Sequence, residues 1–308
     1  MNSRNRMYTP RPRLRRNVPF FSIILVIIIF VFATQLIQNE PDQNQSGEFL
    51  GILQVSFINV GQGDSILIKN PQNEFMLIDT GSGDQYDILK SYLDNQNVEK
   101  FEYVIFTHPH ADHIGSADKI VKEYDIECLI MPRATNTTNT FLRLLGEIEA
   151  KNMVITTAEA RTVGKEYIFG DAKFLIVAPV KDEYENINNY SVVIKMFYGD
   201  NSFVFTGDME KNSEDDIIDK FGGDISADVL KIGHHGSSTS SSQKFLNLVK
   251  PQIAVILSDG GKSYGHPHAD ALERITNTGA QILRSDLHGT IVISSNGQTL
   301  DIKTEITP

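Results

Sequence analysis

Thr107-His108-Pro109-His110-Ala111-Asp112-His113 is the stretch of sequence that decides the fold. It places three histidines and one aspartate within six positions, directly after an apolar run at 102–106 that is typical of a buried strand. A loop cannot bury four such groups without partners, because an unpaired polar group loses its hydration on burial. Imidazoles combined with carboxylates are the ligands that borderline metals such as zinc prefer. The two-residue spacing lets His108 and His110 face one centre while Asp112 and His113 turn toward a neighbouring one, so the stretch predicts a metal site.

Strand-like segments elsewhere also end at polar residues or at glycine. Strands are predicted at 52–58, 65–69, 74–78, 102–106, 125–130, 174–178, 191–197, 202–205, 228–232, 253–257 and 291–294. Helices are predicted at 114–124, 140–151, 212–221, 240–249 and 269–278. Because the helices fall between strands without strict alternation, the pattern indicates an α/β fold of layered sheets with helices outside.

The first 48 residues differ in composition from the rest of the chain. Residues 1–18 hold six arginines and no acidic residue, and the nearly unbroken apolar run that follows, to residue 37, is about long enough to span a bilayer core. The positive-inside rule places the basic tail in the cytoplasm. We therefore expect a single-pass anchor at 19–37, a polar linker at 38–48 and an extracytoplasmic domain at 49–308 of a cell-membrane protein. A cleaved signal peptide is the alternative.

The charge of the chain bears on its partners. The formal net charge is −11, and residues 19–308 carry 22 basic and 39 acidic side chains, a balance of −17. An acidic body repels polyanions, so affinity for a nucleic-acid backbone is not expected from net charge alone and would need a local basic strip or bridging metal ions. The one cysteine, Cys128, excludes a disulfide within the chain and is expected to be a buried apolar residue.

The ordered motifs resemble those of the metallo-β-lactamase superfamily, whose hallmark is His-x-His-x-Asp-His after a strand. The resemblance runs from about Gln54 to Ile302, and it implies a four-layer αββα sandwich. More narrowly, the chain is similar to the extracytoplasmic hydrolase-like domain of the ComEC/Rec2 DNA-internalisation proteins. The motifs that carry this narrower resemblance are Asn59-Val60-Gly61-Gln62-Gly63-Asp64-Ser65, Phe205-Thr206-Gly207-Asp208, Lys231-Ile232-Gly233-His234-His235-Gly236-Ser237 and Tyr264-Gly265-His266-Pro267-His268. Two departures are the asparagine at position 59, where the branch has aspartate, and the lack of many membrane spans, which makes a separate channel protein an expected partner.

The resemblance also implies ligands for two divalent ions, zinc or manganese. The expected ligands are His108 and His110 for the first ion, Asp112, His113 and either His234 or His235 for the second, and Asp208 between the two. A carboxylate such as Asp208 can offer one oxygen to each cation. Of the histidine pair, His234 is favoured because it comes first after the strand, with His235 supporting it or contacting substrate. Asp112 is expected to take part in catalysis as well.

Further residues are expected to surround these ligands. Asp79, which follows the strand at 74–78, would accept hydrogen bonds that orient the metal-binding loop. Most superfamily members give the first ion a third histidine, and the corresponding region here holds Asn188 and Asn189 instead. An amide oxygen from either would suit manganese better than zinc, so the first ion is expected to bind loosely; alternatively, these asparagines only shape a turn.

His266 and His268 precede a predicted helix, and one of them is expected to be catalytic. It would donate a proton to the leaving group or contact the phosphate. The alternative is that both are ordinary loop histidines at the surface.

The predicted metal site alone does not determine the substrate, because a metal-activated hydroxide can cleave phosphodiesters, thioesters, lactones and amides. The resemblance favours a phosphodiesterase or nuclease related to DNA uptake. The acidic body favours a small or zwitterionic ester such as phosphorylcholine. A catalytically silent, metal-stabilised binding module of an envelope or DNA-uptake complex is the alternative from a different class of function.

Overall fold

The structure is a computed structural model, and it describes residues 51–307. The predicted basic tail, anchor and linker at 1–48 lie outside the described residues. Within 51–307, no helix combines the length and the apolar character that a membrane crossing requires.

The described residues form strands and helices that are numbered here in chain order. The strands are β1 (Leu53–Phe57), β2 (Ile66–Lys69), β3 (Phe75–Ile78), β4 (Lys100–Ile105), β5 (Asp125–Pro132), β6 (Ile155–Ala158), β7 (Glu166–Phe169), β8 (Ala172–Ala178), β9 (Val193–Tyr198), β10 (Asn201–Phe205), β11 (Val229–Lys231), β12 (Ile253–Ile256), β13 (Gln281–Arg284), β14 (Ile291–Ser295) and β15 (Leu300–Thr304). The α-helices are α1 (Tyr86–Asn95), α2 (Ala111–Ile114), α3 (Ala117–Glu123), α4 (Asn139–Ala150), α5 (Lys211–Phe221), α6 (Gln243–Val249), α7 (Ala269–Thr276) and α8 (Ser285–His288). Short 3-10 helices lie at Gly83–Gln85, Ala160–Thr162, Ile187–Tyr190, Gly222–Ile225 and Gly233–Gly236.

The strands form two sheets. The first has the order β15-β14-β1-β2-β3-β4-β5-β6 and the second the order β13-β12-β11-β10-β9-β8-β7. β3 to β6 run parallel, as do β10 to β13, and the remaining neighbours are antiparallel. Parallel strands are usually covered on both faces, which explains why every residue of Ile253–Ile256 in β12 is apolar and buried.

Three apolar cores define the layers. The core between the sheets includes Phe57 of β1 and Phe205 of β10, whose ring centroids are 6.2 Å apart. A second core joins the first sheet to α1, α3 and α4 through residues such as Leu89, and a third joins the second sheet to α5, α6 and α7 through Ile217 and Phe245. The layers therefore run helices, sheet, sheet, helices. The α/β fold with two layered sheets and outer helices that the sequence predicted is confirmed.

The topology brings the carboxyl ends of several parallel strands to one edge of the molecule. The loops that follow β3, β4, β10 and β11 contain Asp79, the stretch 107–113, Asp208 and the pair His234–His235. Polar loops at the carboxyl ends of strands are the usual place for a functional site in α/β folds. The segments that sequence analysis singled out are therefore neighbours in space.

Candidate metal centre

Four side chains from three of these loops converge on one point. Donor atoms of Asp112, His113, Asp208 and His235 all lie within 4.8 Å of one another. Asp208 Oδ2 lies 3.1 Å from His113 Nε2 and 3.4 Å from His235 Nε2. His235 Nε2 also lies 3.4 Å from Asp112 Oδ2. These four residues are called the ligand cluster below.

The ligand cluster contains buried polar atoms that lack hydrogen-bond partners among the described residues: Asp208 Oδ1, His113 Nε2 and His235 Nε2. A buried donor or acceptor without a partner costs free energy, so three such atoms in one place point to a group that satisfies them. A divalent cation fits, because imidazole nitrogens and carboxylate oxygens both offer it lone pairs. The ligand cluster is therefore a candidate metal site.

His108 and His110 lie beside the ligand cluster. His108 Nε2 is 3.9 Å from Asp208 Oδ2 and 3.0 Å from His110 Nδ1. The other ring nitrogen of His108, Nδ1, lies 3.1 Å from Thr107 Oγ1 and 3.4 Å from Ser191 Oγ. Asp208 Oδ2 thus lies within 4 Å of His108 from the first expected ligand set and of His113 from the second. A carboxylate shared by two ions would need such a position.

Of the histidine pair, the structure places His235 in the ligand cluster, whereas the sequence favoured His234. His235 is buried, and its Nδ1 donates to the Leu257 carbonyl at 2.9 Å, which leaves the lone pair of Nε2 free for a metal. His234 Nε2 is farther from Asp208 Oδ2, at 3.8 Å, and its Nδ1 lies 3.2 Å from Glu210 Oε1. The backbone explains the difference: both histidines have positive φ within the turn Gly233–Gly236, and this turn directs His235 inward.

The two asparagines considered as ligands of the first ion, Asn188 and Asn189, differ in whether their amide oxygens already accept hydrogen bonds. Asn189 Oδ1 accepts hydrogen bonds from the backbone N–H groups of Glu210 and Ser213 at 3.0 and 3.3 Å. It therefore caps the start of α5, where backbone donors lack partners within the helix, and is not free for a metal. Asn188 Nδ2 donates to Glu210 Oε1 at 3.2 Å, and its Oδ1 is buried without a partner, so Asn188 alone keeps an available amide oxygen.

Asp79 holds the stretch 107–113 in place. Its Oδ1 accepts from the Thr107 backbone N–H at 2.8 Å, and its Oδ2 accepts from Thr107 Oγ1 at 2.6 Å and from His113 Nδ1 at 2.7 Å. Asp79 is fully buried. Because Nδ1 of His113 donates to this carboxylate, its Nε2 is the atom that faces Asp208, the usual arrangement of a histidine ligand and its carboxylate partner.

The electrostatics of the ligand cluster also suit a cation. Burial alone would lower the pKa values of His113 and His235, but nearby carboxylates, Asp208 foremost, outweigh it and raise both pKa values well above their usual range. Burial would raise the pKa of Asp208, and the same two imidazoles hold it well below its usual range. Protons on His113 and His235 therefore balance the carboxylates when no metal is bound. A divalent ion held there would supply the same positive charge and would displace those protons.

Two buried charged residues lie beside the ligand cluster, Asp64 and Lys231, and the sequence motifs that contain them did not indicate their role. Lys231 Nζ lies 2.7 Å from Asp64 Oδ2 and 3.4 Å from the carbonyl of Gly207, next to Asp208. The other oxygen of Asp64, Oδ1, lies 3.3 Å from His235 Nδ1. The signal was present, since a lysine within the apolar run Val229-Leu230-Lys231-Ile232 is too costly to bury without a partner.

The loop that carries Asp64 passes very close to the metal-binding stretch. The backbone N–H of Asp64 donates to the Asp112 carbonyl at 3.2 Å. Gly63 makes this approach feasible, because a Cβ at that position would lie 2.1 Å from the Asp112 carbonyl oxygen. Its φ of 126° is also a conformation that favours glycine. The motif at 61–65 is therefore a support for the ligand cluster.

An open cleft of about 520 Å³ leads to the ligand cluster. Its lining includes Gln62, Ser82, Thr138 and His266, and within residues 51–307 it includes no lysine or arginine. A larger groove, of about 880 Å³, lies between α1 and the β14–β15 hairpin and contains none of the candidate ligands. The cleft at the ligand cluster, although smaller, is therefore the one that contains candidate metal ligands.

His266 and His268 have different environments. His266 lines the cleft, and burial, followed by the neighbouring charges of His234 and His235, lowers its pKa to about 4. It is therefore neutral near pH 7 and can donate a hydrogen bond. His268 is outside the lining, and its Nδ1 accepts from the Ser238 backbone N–H at 3.0 Å. Of the two expected candidates, only His266 faces the cleft.

Two layered sheets between helices, with a cluster of histidine and aspartate at the carboxyl ends of the strands, define a metallo-β-lactamase-type fold. A family model described as the metallo-beta-lactamase superfamily matches residues 58–260. The chain belongs to this superfamily.

Curated relatives confirm the narrower resemblance. The chain is 29% identical over 255 residues to ComE operon protein 3 of Bacillus subtilis, a match that covers 77% of this chain and 32% of the relative. It is 28% identical to competence protein ComA of Neisseria gonorrhoeae, over 77% of this chain and 31% of that protein. Recombination protein 2 of Haemophilus influenzae is also 28% identical, over 81% of this chain and 30% of the relative. The chain thus spans about a third of the length of the curated relatives that it matches.

Among solved structures, the chain is similar to CmlA, a diiron beta-hydroxylase from Streptomyces venezuelae. The TM-score is 0.50 at 12% identity, and the match covers 78% of this chain and 53% of that protein. An E377D mutant of the same hydroxylase gives a TM-score of 0.52 over 89% of this chain and 59% of that one, also at 12% identity. At this level of identity the similarity shows the fold alone.

Proposed function

We propose that the chain is a metal-dependent hydrolase that cleaves phosphodiesters, with DNA as the candidate substrate, by means of two divalent ions, zinc or manganese. The observation that carries the proposal is the convergence of Asp112, His113, Asp208 and His235 around buried atoms that lack partners. Ions held there would activate water and stabilise the negative charge that builds on a phosphoryl oxygen. The similarity to competence and recombination proteins favours a phosphodiester over other esters.

Residues of the cleft suit an anionic substrate that is recognised by hydrogen bonds. Gln62, Ser82 and Thr138 line the cleft and offer neutral donors, and His266 can donate as a neutral imidazole. Because the described part of the chain contributes no lysine or arginine to the lining, the positive charge that attracts a phosphodiester would come from the ions. Asp79 holds His113 in position through a hydrogen bond, and the Leu257 carbonyl does the same for His235, beside which the Asp64–Lys231 pair lies.

The proposal is tested with the whole chain, purified in detergent and loaded with zinc or manganese. We expect cleavage of bis-p-nitrophenyl phosphate that falls to background after EDTA treatment and returns when metal is added. A thioester and a nitrocefin-type lactam are assayed in parallel. Turnover confined to the thioester or the lactam would reject the phosphodiesterase, and a metal-loaded protein that cleaves none of the three would favour the silent binding module. Phosphorylcholine esters test the remaining alternative substrate.

We also propose that residues 19–37 anchor the protein in the cell membrane with its hydrolase domain outside, where a separate channel protein would work alongside it. The support is the apolar run behind six arginines. We expect the full-length chain to stay in carbonate-washed membranes and a carboxyl-terminal tag to be digested by protease added to spheroplasts. A soluble chain that begins after residue 37 would instead identify a cleaved signal peptide.

A further inference from the structure

Tyr264 stands at the rim of the cleft that leads to the ligand cluster. It is 66% exposed, although it lines the same cleft as Asp208 and His235. Its ring centroid lies 6.1 Å from that of His266, and the two planes are inclined by 30°. The His266 ring in turn lies 6.2 Å from that of His235. Aromatic surface therefore continues from the ligand cluster to the rim of the cleft.

The loop that presents Tyr264 is held by hydrogen bonds to Asp259. Asp259 Oδ1 accepts from the backbone N–H groups of Gly261 and Lys262 at 3.1 and 2.9 Å, and its Oδ2 accepts from Ser263 Oγ at 2.5 Å. An exposed aromatic ring on a braced loop loses little conformational entropy when a partner stacks on it. Tyr264 is thus exposed on a loop whose backbone is held in place by hydrogen bonds.

The shape of this surface favours a flat partner. Tyr264 is the only phenylalanine or tyrosine among the described residues that line the cleft, and most of its surface is open. A quaternary ammonium such as choline is typically bound by a cage of several rings, which this cleft does not provide. A nucleobase needs only one flat ring, and every base offers such a face.

We propose that Tyr264 forms a base-stacking subsite, which binds the nucleobase next to the phosphodiester held at the ligand cluster. The bases of a duplex are already stacked and paired, so this subsite selects single-stranded nucleic acid. This inference rests on the proposed phosphodiester substrate and specifies which form of that substrate the cleft accepts.

The test is binding by the whole, metal-loaded chain of short fluorescent oligothymidylates with cleavage-resistant phosphorothioate linkages. We expect the base-bearing strand to bind about ten-fold more tightly than an abasic strand of the same length and charge, since stacking on one ring is worth about one power of ten in affinity. Tyr264→Ala should lose this preference while keeping the affinity for the abasic strand and the metal content. Tyr264→Phe, the matched control, should keep the preference because it keeps the ring.

Several outcomes would overturn the subsite. Equal binding of both strands by the unaltered protein would do so, as would a Tyr264→Ala variant that weakens both strands alike. Phosphorylcholine binding that is lost in Tyr264→Ala, while that variant binds both strands as the unaltered protein does, would assign the ring to choline instead. Failure of the proposed function is separate: base-dependent binding without cleavage of any phosphodiester would reject the hydrolase and leave the subsite standing.

Discussion

Replacement of Asp208 by alanine should release the bound metal and lower phosphodiester hydrolysis by roughly 10²–10³-fold or more, the loss expected when one charge-stabilising group is removed from an active site. Asp208 Oδ2 is the central atom of the site. It lies within 4 Å of His113, His235, His234 and His108, at 3.1, 3.4, 3.8 and 3.9 Å. No other carboxylate in the described part of the chain lies within 4 Å of histidines from both expected ligand sets, so no neighbour can replace Asp208.

The measurements are metal content by mass spectrometry and hydrolysis of bis-p-nitrophenyl phosphate. Asp219→Ala is the matched control, because Asp219 is an exposed aspartate on α5 and its loss should change neither quantity. Asp208→Asn separates charge from shape, and we expect it to behave like the alanine variant. An Asp208→Ala protein that keeps its metal and its turnover would remove Asp208 from the site.

The ligand cluster shows what sequence alone could and could not predict. The stretch 107–113 was informative because ligand residues that are close in sequence must also be close in space. The choice between His234 and His235 depended on two positive φ angles in the turn Gly233–Gly236, and the residue pattern does not predict these angles. The role of Asn189 depended on where α5 begins, since its amide oxygen caps that helix.

The fold shows the same limit. Strands with strong apolar runs, such as β12, were predictable from the sequence. β15 was not, because its residues alternate between half-buried and exposed at a sheet edge. It also predicted one helix at 114–124, where the structure has α2 and α3 separated near Gly115. A Cβ at Gly115 would lie 2.3 Å from the backbone nitrogen of Gly83. The backbone N–H of Gly115 also donates to the Gly81 carbonyl at 2.9 Å. These long-range backbone contacts accompany the break between α2 and α3, and local periodicity carries no information about them.

Lys231→Met should lower the free energy of unfolding by about 3–5 kcal/mol, because it leaves the Asp64 carboxylate buried without its partner. Both side chains are almost fully buried, and Lys231 Nζ lies 2.7 Å from Asp64 Oδ2. Burial would raise the pKa of Asp64, but Lys231 foremost, together with His235 and His113, outweighs it and holds the pKa below its usual value. The measurement is urea unfolding of the metal-free protein. Lys244→Met is the matched control, because Lys244 is 58% exposed in its ion pair with Asp215, and an exposed pair of this kind contributes at most about 1 kcal/mol.

The double variant Lys231→Met with Asp64→Leu separates the stability of the fold from the support of the ligand cluster. Removal of both charges leaves no uncompensated ion, so most of the lost stability should return. Metal affinity should stay lower by about 10–100-fold, because the negative charge that Asp64 places 3.3 Å from His235 Nδ1 is lost, although the hydrogen bond from Nδ1 to the Leu257 carbonyl remains. Calorimetric titration with zinc measures this affinity. If the double variant regained both stability and metal affinity, the pair would serve the fold alone; if it regained neither, packing around the two side chains would matter more than their charge.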